Sequence, residues 1–145
     1  MAMFMRKLNL IARCAGEYRT QNSSVQLPGI YHSYVFAICR KPGMSQDVLG
    51  EHLCMNKSSV TRHLTYLEQN GYVERKASSE DKRQMLVYPT EKMQEIHAEV
   101  AQIAKQWTTQ LCESITEEEM TAFMEVLDKI YDKAKQISTI GGANE

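Results

Sequence analysis

The 145-residue chain lacks any long run of apolar residues. Its longest run, Tyr34 to Cys39, has six residues, far fewer than the roughly 20 that a membrane-spanning helix needs. Near the N-terminus, Asn9 and Arg13 interrupt the apolar residues that follow Arg6 and Lys7, so we expect no signal peptide. These absences favour a single cytoplasmic domain with no membrane partner.

Glycine, proline and cysteine are also scarce. Seven Gly and three Pro, with 43% hydrophobic and 24% charged residues, exclude collagen, low-complexity sequence and general disorder. The four cysteines form no CxxC pair, and each lies in an apolar helical pattern: Cys14, Cys39, Cys54 and Cys112. The pattern predicts reduced, mostly buried thiols rather than disulfides or a zinc site, with redox sensing by Cys14 or Cys54 as the alternative.

Motifs of catalysis are missing as well. The sequence has no Gly-rich phosphate loop, no HExxH, no nucleophile elbow and no plausible pair of catalytic carboxylates. His52, His63 and His97 are isolated on predicted helices, which suits structural residues better than metal ligands. We therefore expect a protein that is not an enzyme and that holds neither a metal nor a cofactor.

The net charge of −1 conceals an asymmetry between two parts of the chain. Residues 1–90 hold 12 Lys and Arg against seven Asp and Glu, a net charge of +5. Residues 91–145 hold five against 11, a net charge of −6. Such an asymmetry indicates that one part of the chain meets a polyanion, although a basic face is also compatible with simple solvation.

Hydrophobic periodicity predicts a mainly α fold with a small β-wing, in the order α-α-α-α-β-β-α-α. The predicted elements are helices at 7–19 and 29–40, two short helices that begin after Ser45 and Asn56, strands at 72–76 and 84–88, and helices at 91–111 and 117–137. The two short helices form a helix-turn-helix whose second member stops at Gly71. The polar connection from Ala77 to Arg83 is too long for a tight turn, so we expect it to project as a wing.

The pattern divides the chain into one intertwined domain. Residues 29–90 form the winged helix-turn-helix, residues 1–28 and 91–138 form helical arms, and residues 139–145 form a flexible tail. The arms carry more apolar surface than one small core can cover. We expect them to pair with a second copy of the chain as a dimerisation region, the alternative being a self-contained helical cap on a monomer.

The second helix of the helix-turn-helix presents an outward face that suits the DNA major groove. Val60, Leu64 and Leu67 mark its core side, and the opposite face is small and hydroxylic with one long cation. Arg62 can bind guanine O6 and N7, and Lys57 lies where a phosphate is expected. The candidate contacts on this recognition helix are Lys57, Ser58, Ser59, Thr61, Arg62 and Thr65, and the alternative is an ordinary solvated face.

The wing supplies independent support for a double-stranded DNA partner. Lys82 and Arg83 near its tip can reach a narrow, electronegative minor groove. Asp81 can bind the Arg83 guanidinium or the local backbone and so hold the wing in shape. We assign Asp81, Lys82 and Arg83 to the wing contacts.

These segments resemble the MarR (multiple-antibiotic-resistance regulator) family. The resemblance is carried by Met44 to Leu49, Ser59 to Leu64, Leu67 to Arg75, the wing motif Asp81-x-Arg83 and the following Thr90-Glu91-Lys92. It covers about residues 30–95 in motif and the whole chain in helix order. Two positions depart from the family pattern, since Pro89 stands where Leu is usual and Met93 where Gly is usual.

The resemblance implies a homodimeric winged-helix transcription factor on pseudo-palindromic operators, usually a repressor released by a small ligand or by oxidation. It implies that Arg62 and its Ser and Thr neighbours read the major groove and that Arg83 reads the minor groove. We also expect Ser45 and Gln46 to contact the DNA backbone. The alternative function is a winged-helix module that binds another protein without sequence-specific DNA binding.

The resemblance also implies an effector site where the dimer helices meet the DNA-binding part. The matching region contains Arg13, Tyr31, His32 and Tyr34, which suit a small aromatic or phenolic ligand that carries a carboxylate. The alternative places the tyrosines in an amphipathic core and Arg13 in a surface or inter-subunit ion pair.

Overall fold

The computed structural model describes residues 2–138, and the tail predicted at 139–145 lies outside the described residues. Within that range the mainly α fold with a small β-wing is confirmed. Its helices are α1 (Ala2–Asn22), α2 (His32–Arg40), α3 (Gln46–His52), α4 (Lys57–Gln69), α5 (Glu91–Leu111) and α6 (Glu117–Ile137). Its strands are β1 (Met44–Ser45), β2 (Val73–Ala77) and β3 (Met85–Pro89).

The sheet contains one strand that the periodicity did not predict. The antiparallel order is β1-β3-β2, with Met44 opposite Val87 and Ser45 opposite Leu86. A two-residue strand is too short to show an alternating pattern, so only its pairing with β3 reveals it. Strands β2 and β3 each begin one residue later than predicted.

The starts of four helices are fixed by capping residues. The side chains of Ser45, Asn56 and Thr90 accept hydrogen bonds from the backbone of α3, α4 and α5, and a complete capping box starts α6. Gly71 has a φ of +77°, so it provides the predicted left-handed stop after α4. The helix predicted to begin at Gly29 starts as a 3-10 turn, Gly29–Tyr31, and becomes α-helical at His32.

The core is built around α2. Tyr34, Val35 and Ile38 are fully buried, and they join buried side chains of α3, α4, β3 and α5 in one apolar cluster. Pro89 and Met93 are the two residues that depart from the family pattern. Met93, in α5, is fully buried in this cluster, and Pro89 is the last residue of β3 and pairs with Val73. Both residues are therefore accommodated where β3 of the wing leads into α5.

Two details of the predicted burial are wrong. Val48 is 45% exposed, although the pattern placed it with the core residue Leu49. Cys54 is exposed in the turn between α3 and α4, and Cys14, Cys39 and Cys112 are half-buried, so the thiols are less buried than predicted. The backbone reverses at Cys54 with a φ of +53°, and this reversal removes it from the helical register that the sequence suggests.

No helix within residues 2–138 has the length and apolarity to cross a membrane.

The close approach of α1 to the 3-10 turn depends on Gly29. Its N–H donates to Thr20 Oγ1 at 3.0 Å, and its carbonyl accepts from Arg19 Nε at 3.2 Å. A Cβ at this position would lie 2.7 Å from the Gly16 carbonyl oxygen and 2.9 Å from Arg19 Cβ. The absence of a side chain at Gly29 thus allows α1 to pack against the start of α2.

We expect Gly29→Ala to lower the free energy of unfolding by about 1–3 kcal/mol, because the added methyl group meets backbone rather than a flexible side-chain end. Gly16→Ala is the matched control, since its Cβ would meet nothing nearer than Arg19 Nη2 at 3.9 Å. That variant should be neutral or stabilising by up to about 1 kcal/mol. Urea unfolding curves measure both, and an equal loss in the two variants would contradict this account.

Candidate nucleic-acid interface

Helix α4 has a buried side and an exposed side, as its periodicity predicts. Val60, Leu64 and Leu67 are buried in the core. On the opposite side the candidate contacts Lys57, Ser58, Thr61 and Arg62 are exposed, while Ser59 and Thr65 are half-buried. The helix therefore turns a small hydroxylic surface outward.

The first turn of α4 is fixed by Asn56. Its Oδ1 accepts hydrogen bonds from the Ser59 N–H at 2.8 Å and from Ser58 Oγ at 2.8 Å. Because Ser58 donates to the cap, its oxygen still has acceptor capacity and its side-chain position is restrained. The cap thus holds the end of the helix that would enter a groove.

Arg62 is the exposed cation of this face. It forms no ion pair with any residue in the range 2–138. The pKa of the neighbouring His63 imidazole is lowered, mainly by burial and further by the charge of Arg62. Arg62 therefore offers an uncompensated guanidinium at the surface.

Lys57 differs from Arg62, because a carboxylate already faces it. Its Nζ lies 3.2 Å from Asp47 Oδ1. Both side chains are largely exposed, at 85% for Lys57 and 59% for Asp47. The pair therefore joins α3 to α4 across the surface without entering the core.

Arg75, on β2, is a residue of this region that the sequence reasoning missed. Its guanidinium donates to Glu68 Oε2 from Nη2 at 2.6 Å and from Nε at 3.1 Å, and its backbone N–H donates to Glu68 Oε1. The same guanidinium donates to Gln46 Oε1 and to Thr65 Oγ1, each at 3.3 Å. One half-buried side chain thus connects β2 with α3 and α4.

These hydrogen bonds use polar groups of Thr65 and Gln46, two residues that were predicted to contact DNA. The Thr65 hydroxyl donates to the Thr61 carbonyl at 2.8 Å and accepts from Arg75, and the Gln46 amide oxygen also accepts from Arg75. The two N–H donors of the Gln46 amide are still available to bind an acceptor such as a phosphate oxygen. The sequence does contain an indication of this ion pair. Glu68 and Arg75 lie on either side of Gly71, where α4 ends and the chain turns back, so the turn brings their opposite charges together.

The wing loop is shaped by hydrogen bonds of its own. The Ser78 N–H donates to the Gln84 carbonyl at 2.8 Å, and the Gln84 N–H donates to the Asp81 carbonyl at 2.9 Å. Asp81 Oδ1 accepts from the Arg83 backbone N–H at 3.0 Å, so it binds local backbone rather than a guanidinium. Lys82 and Arg83 are exposed and form no ion pair within the part of the chain that the structure describes.

Two of the predicted effector residues lie in an aromatic cluster between α2 and α4. The Tyr31 ring stacks on Tyr66 with centroids 4.5 Å apart and meets His63 edge-on at 5.3 Å. The Tyr34 hydroxyl lies 3.1 Å from His63 Nδ1, and burial raises the pKa of Tyr34 to about 12. The two tyrosines therefore pack directly behind the exposed face of α4.

The other two effector candidates do not join this cluster. His32 is buried, donates from Nε2 to the Leu27 carbonyl at 3.2 Å, and has no partner for Nδ1 among the described residues. Arg13 is largely exposed on α1, and its ion-pair partner is Glu17 at 3.6 Å. The arginine that approaches α2 is Arg19, through its bond to the Gly29 carbonyl.

The described residues contain no group of three or more His, Cys, Asp or Glu side chains arranged to hold a metal ion.

The sequence of this region is similar to those of known proteins. The MarR family model matches residues 32–85. The HTH-type transcriptional regulator BilQ from Clostridium symbiosum is 26% identical over 117 residues, which cover 81% of this chain and 78% of the relative.

Two solved structures share the fold. A MarR transcriptional regulator from Methanosarcina mazei Go1 has a TM-score of 0.84 at 19% identity, covering 95% of this chain and 100% of that one. A mutant MarR from E. coli complexed with operator DNA has a TM-score of 0.78 at 20% identity, covering 86% of this chain and 91% of that one.

The relatives named here are transcriptional regulators, and the chain shares the winged-helix fold of the two solved structures. The match to the MarR family model covers residues 32–85, which include α2, α3, α4, β2 and the wing loop.

The Glu68–Arg75 contact has a predictable pH dependence. The pKa of Glu68 is lowered, mainly by the hydrogen bond from the Arg75 side chain. A carboxyl group whose pKa is lower in the folded chain stabilises the fold above its unfolded pKa, about 4.3, and this stabilisation is lost as the pH falls through the folded pKa. We expect Glu68→Gln to lower the free energy of unfolding by about 0.5–1.5 kcal/mol at pH 7, since Glu68 is partly solvent-screened.

The loss should shrink as the pH falls below about 4.3, where the carboxyl of the unfolded chain becomes protonated, and should vanish once the folded carboxyl is neutral as well. Urea unfolding at pH 3 to 7 measures it. Glu74→Gln is the control, because it removes the same charge from an exposed pair with Lys76 and should change stability by less than about 0.5 kcal/mol. A loss for Glu68→Gln that is the same at pH 3 and pH 7 would argue against the ion pair.

Proposed function

We propose that the chain is a homodimeric repressor that binds a pseudo-palindromic operator through two copies of the reading head. The reading head is the exposed face of α4 together with the wing loop, residues 78–84. The observation that carries the proposal is the set of exposed cations on this surface without ion pairs among the described residues: Arg62, Lys82 and Arg83.

In this proposal α4 lies in the major groove. Ser58, Ser59 and Thr61 approach the bases or phosphates closely, and Arg62 binds guanine O6 and N7 in a bidentate contact. Because the Arg62 guanidinium has no carboxylate partner in the described chain, no ion pair has to break before it binds. Thr65 contributes through the hydroxyl that Arg75 orients.

The wing reaches the adjacent minor groove. Arg83 enters the groove, Lys82 meets phosphate, and Asp81 keeps the loop closed through its bond to the Arg83 N–H. At the start of α3, Ser45 and Gln46 contact the DNA backbone, with the Gln46 amide NH2 as donor. These contacts position the protein, while Arg62 supplies the sequence preference.

The helical arms, residues 1–28 and 91–138, form the dimerisation region. None of the described residues of α6 is buried, and its exposed side chains include Phe123, Met124, Val126, Ile130 and Tyr131. Helix α1 also exposes Met3, Met5, Leu10 and Ile11. Exposed apolar side chains on both α1 and α6 mark an interaction site, and a second copy of the chain supplies a matching surface.

Charge supports the pairing of α1 with α6 of the second copy. Helix α1 carries four Lys and Arg against one Glu, whereas α6 carries six Asp and Glu against three Lys. Opposite net charges suppress like-with-like pairing and favour α1 against the partner's α6. In such a two-fold dimer, the reading heads meet half-sites about one helical turn of DNA apart, roughly 34–36 Å.

We further propose that a small aromatic or phenolic ligand, or an oxidant, relieves repression. We also propose that the protein acts in the cytoplasm. This part rests on the family resemblance. The Tyr31 and Tyr34 rings behind α4 are the candidate contacts for a ligand, and the exposed Cys54 is the candidate thiol for an oxidant.

Arg62→Ala tests the reading head. Operators are first selected from random duplexes with the wild-type protein. We expect Arg62→Ala to weaken binding to the selected operator by about 1–3 kcal/mol per half-site and to change binding to random DNA much less. Fluorescence anisotropy at several salt concentrations measures both affinities.

Ser33→Ala, an exposed substitution on α2, serves as the control and should leave both affinities unchanged. For the wild type, the logarithm of the affinity should fall linearly with the logarithm of salt concentration, at about 0.9 per neutralised phosphate. If the wild-type protein binds no duplex at low salt, the proposal of a repressor is refuted and a module that binds another protein is favoured. Equal losses for Arg62→Ala on operator and random DNA would refute its role in sequence reading.

Phe123→Glu tests the dimer. Phe123 is 53% exposed in the single chain, so the substitution should leave the protomer folded. A carboxylate within an apolar interface lacks compensation, and we expect dimerisation to weaken about 100-fold or more. Sedimentation measures the mass in solution, and Ser33→Glu on the exposed side of α2, outside the arms, controls for charge. A wild-type protein that sediments as one copy would overturn the homodimer.

A further inference from the structure

We propose that Asp47 limits the affinity of the reading head for DNA of any sequence by neutralising Lys57. The inference rests on the proposed function, since it concerns the same surface. It adds a residue that opposes binding, whereas every contact proposed above favours binding.

The geometry places Asp47 beside the proposed DNA contacts. It follows Ser45 and Gln46, which open α3, and its Oδ1 lies 3.2 Å from Nζ of Lys57, the first residue of α4. The carboxylate and the ammonium therefore lie at the junction of the two helices of the helix-turn-helix. A phosphate that approached Lys57 would also approach Asp47.

The ion pair contributes little to folding. Asp47 makes no other ion pair and its side chain makes no hydrogen bond within residues 2–138. Exposed pairs of this kind contribute little to stability, because both partners remain solvated and salt screens them. Lys57 can therefore exchange Asp47 for a phosphate at low cost, but the negative charge of Asp47 stays at the site.

The other paired cations of the region have structural roles. Arg75 is half-buried and donates to three side chains, and Lys76 lies 5.4 Å from the centroid of the Tyr88 ring in addition to its pair with Glu74. The Asp47–Lys57 pair has no comparable support. Its effect is therefore expected in electrostatics rather than in stability.

The electrostatic consequence is general. Binding to duplex DNA without regard to sequence depends on how many phosphates the protein neutralises. A carboxylate beside Lys57 cancels about one positive charge per reading head in operator and random complexes alike. Asp47 thus sets the strength of binding and its salt dependence, and it leaves the choice of sequence to Arg62.

Asp47→Asn tests the inference directly. We expect affinity for both the selected operator and a random duplex to rise about tenfold per reading head at 0.1 M salt, with the salt slope steeper by about 0.9 per reading head. The ratio of the two affinities should stay within about twofold of the wild type. Anisotropy titrations between 0.05 and about 0.3 M salt measure both quantities.

Lys57→Ala and the double variant Asp47→Asn/Lys57→Ala complete a thermodynamic cycle. Lys57→Ala should bind most weakly, because Asp47 then faces phosphate without a cation, and the double variant should recover part of the loss. Ser33→Lys, on the exposed side of α2, changes the net charge by the same +1 outside both the reading head and the helical arms, and should leave affinity unchanged. Unfolding curves should coincide for wild type and Asp47→Asn.

Two failures can be told apart. A wild-type protein that binds duplexes while Asp47→Asn binds them equally or more weakly would overturn this inference alone. An equal gain from Ser33→Lys would also overturn it, because net charge rather than position would then set the affinity. A wild-type protein that binds no duplex at low salt would overturn the proposed function and this inference with it.

Discussion

Burial of one side of α4 against α2 is the constraint on which the reading head depends. Val60, Leu64 and Leu67 are buried in the cluster that contains Tyr34 and Ile38. Rotation of α4 about its axis would expose these apolar side chains, so the core fixes which residues face outward. The outward position of Arg62 is therefore a consequence of the packing of Val60, Leu64 and Leu67 on the opposite side of the helix.

Hydrogen bonds then fix what the apolar core leaves free. Apolar packing restricts rotation of α4 but is nondirectional, so it does not set the angle between helix, turn and wing. Arg75 supplies directional contacts from β2 to Glu68 and Thr65 on α4 and to Gln46 on α3. Its 17% exposed side chain makes these contacts less screened than those of the surface pairs.

Sequence periodicity predicted the elements whose pattern is local. The buried side of α4 follows from the spacing of Val60 and Leu64, and the helix starts follow from capping residues. Strand β1 and the contacts of Arg75 depend on segments distant in sequence, and Cys54 depends on a φ of +53° in a turn. The predicted effector residues show the same limit. The sequence analysis groups Arg13 with Tyr31 and Tyr34, but in the structure Arg13 pairs with Glu17.

Charge counting has a related limit. The net charge of +5 on residues 1–90 points to a polyanion, but it does not distinguish cations that bind one from cations that hold the fold. The structure separates them: Arg75 connects β2 with α3 and α4, Lys76 pairs with Glu74 at the surface, and Lys57 is offset by Asp47. The electrostatic attraction of the reading head for a duplex therefore comes from fewer charges than the sequence contains, and small changes among its carboxylates weigh heavily on that attraction.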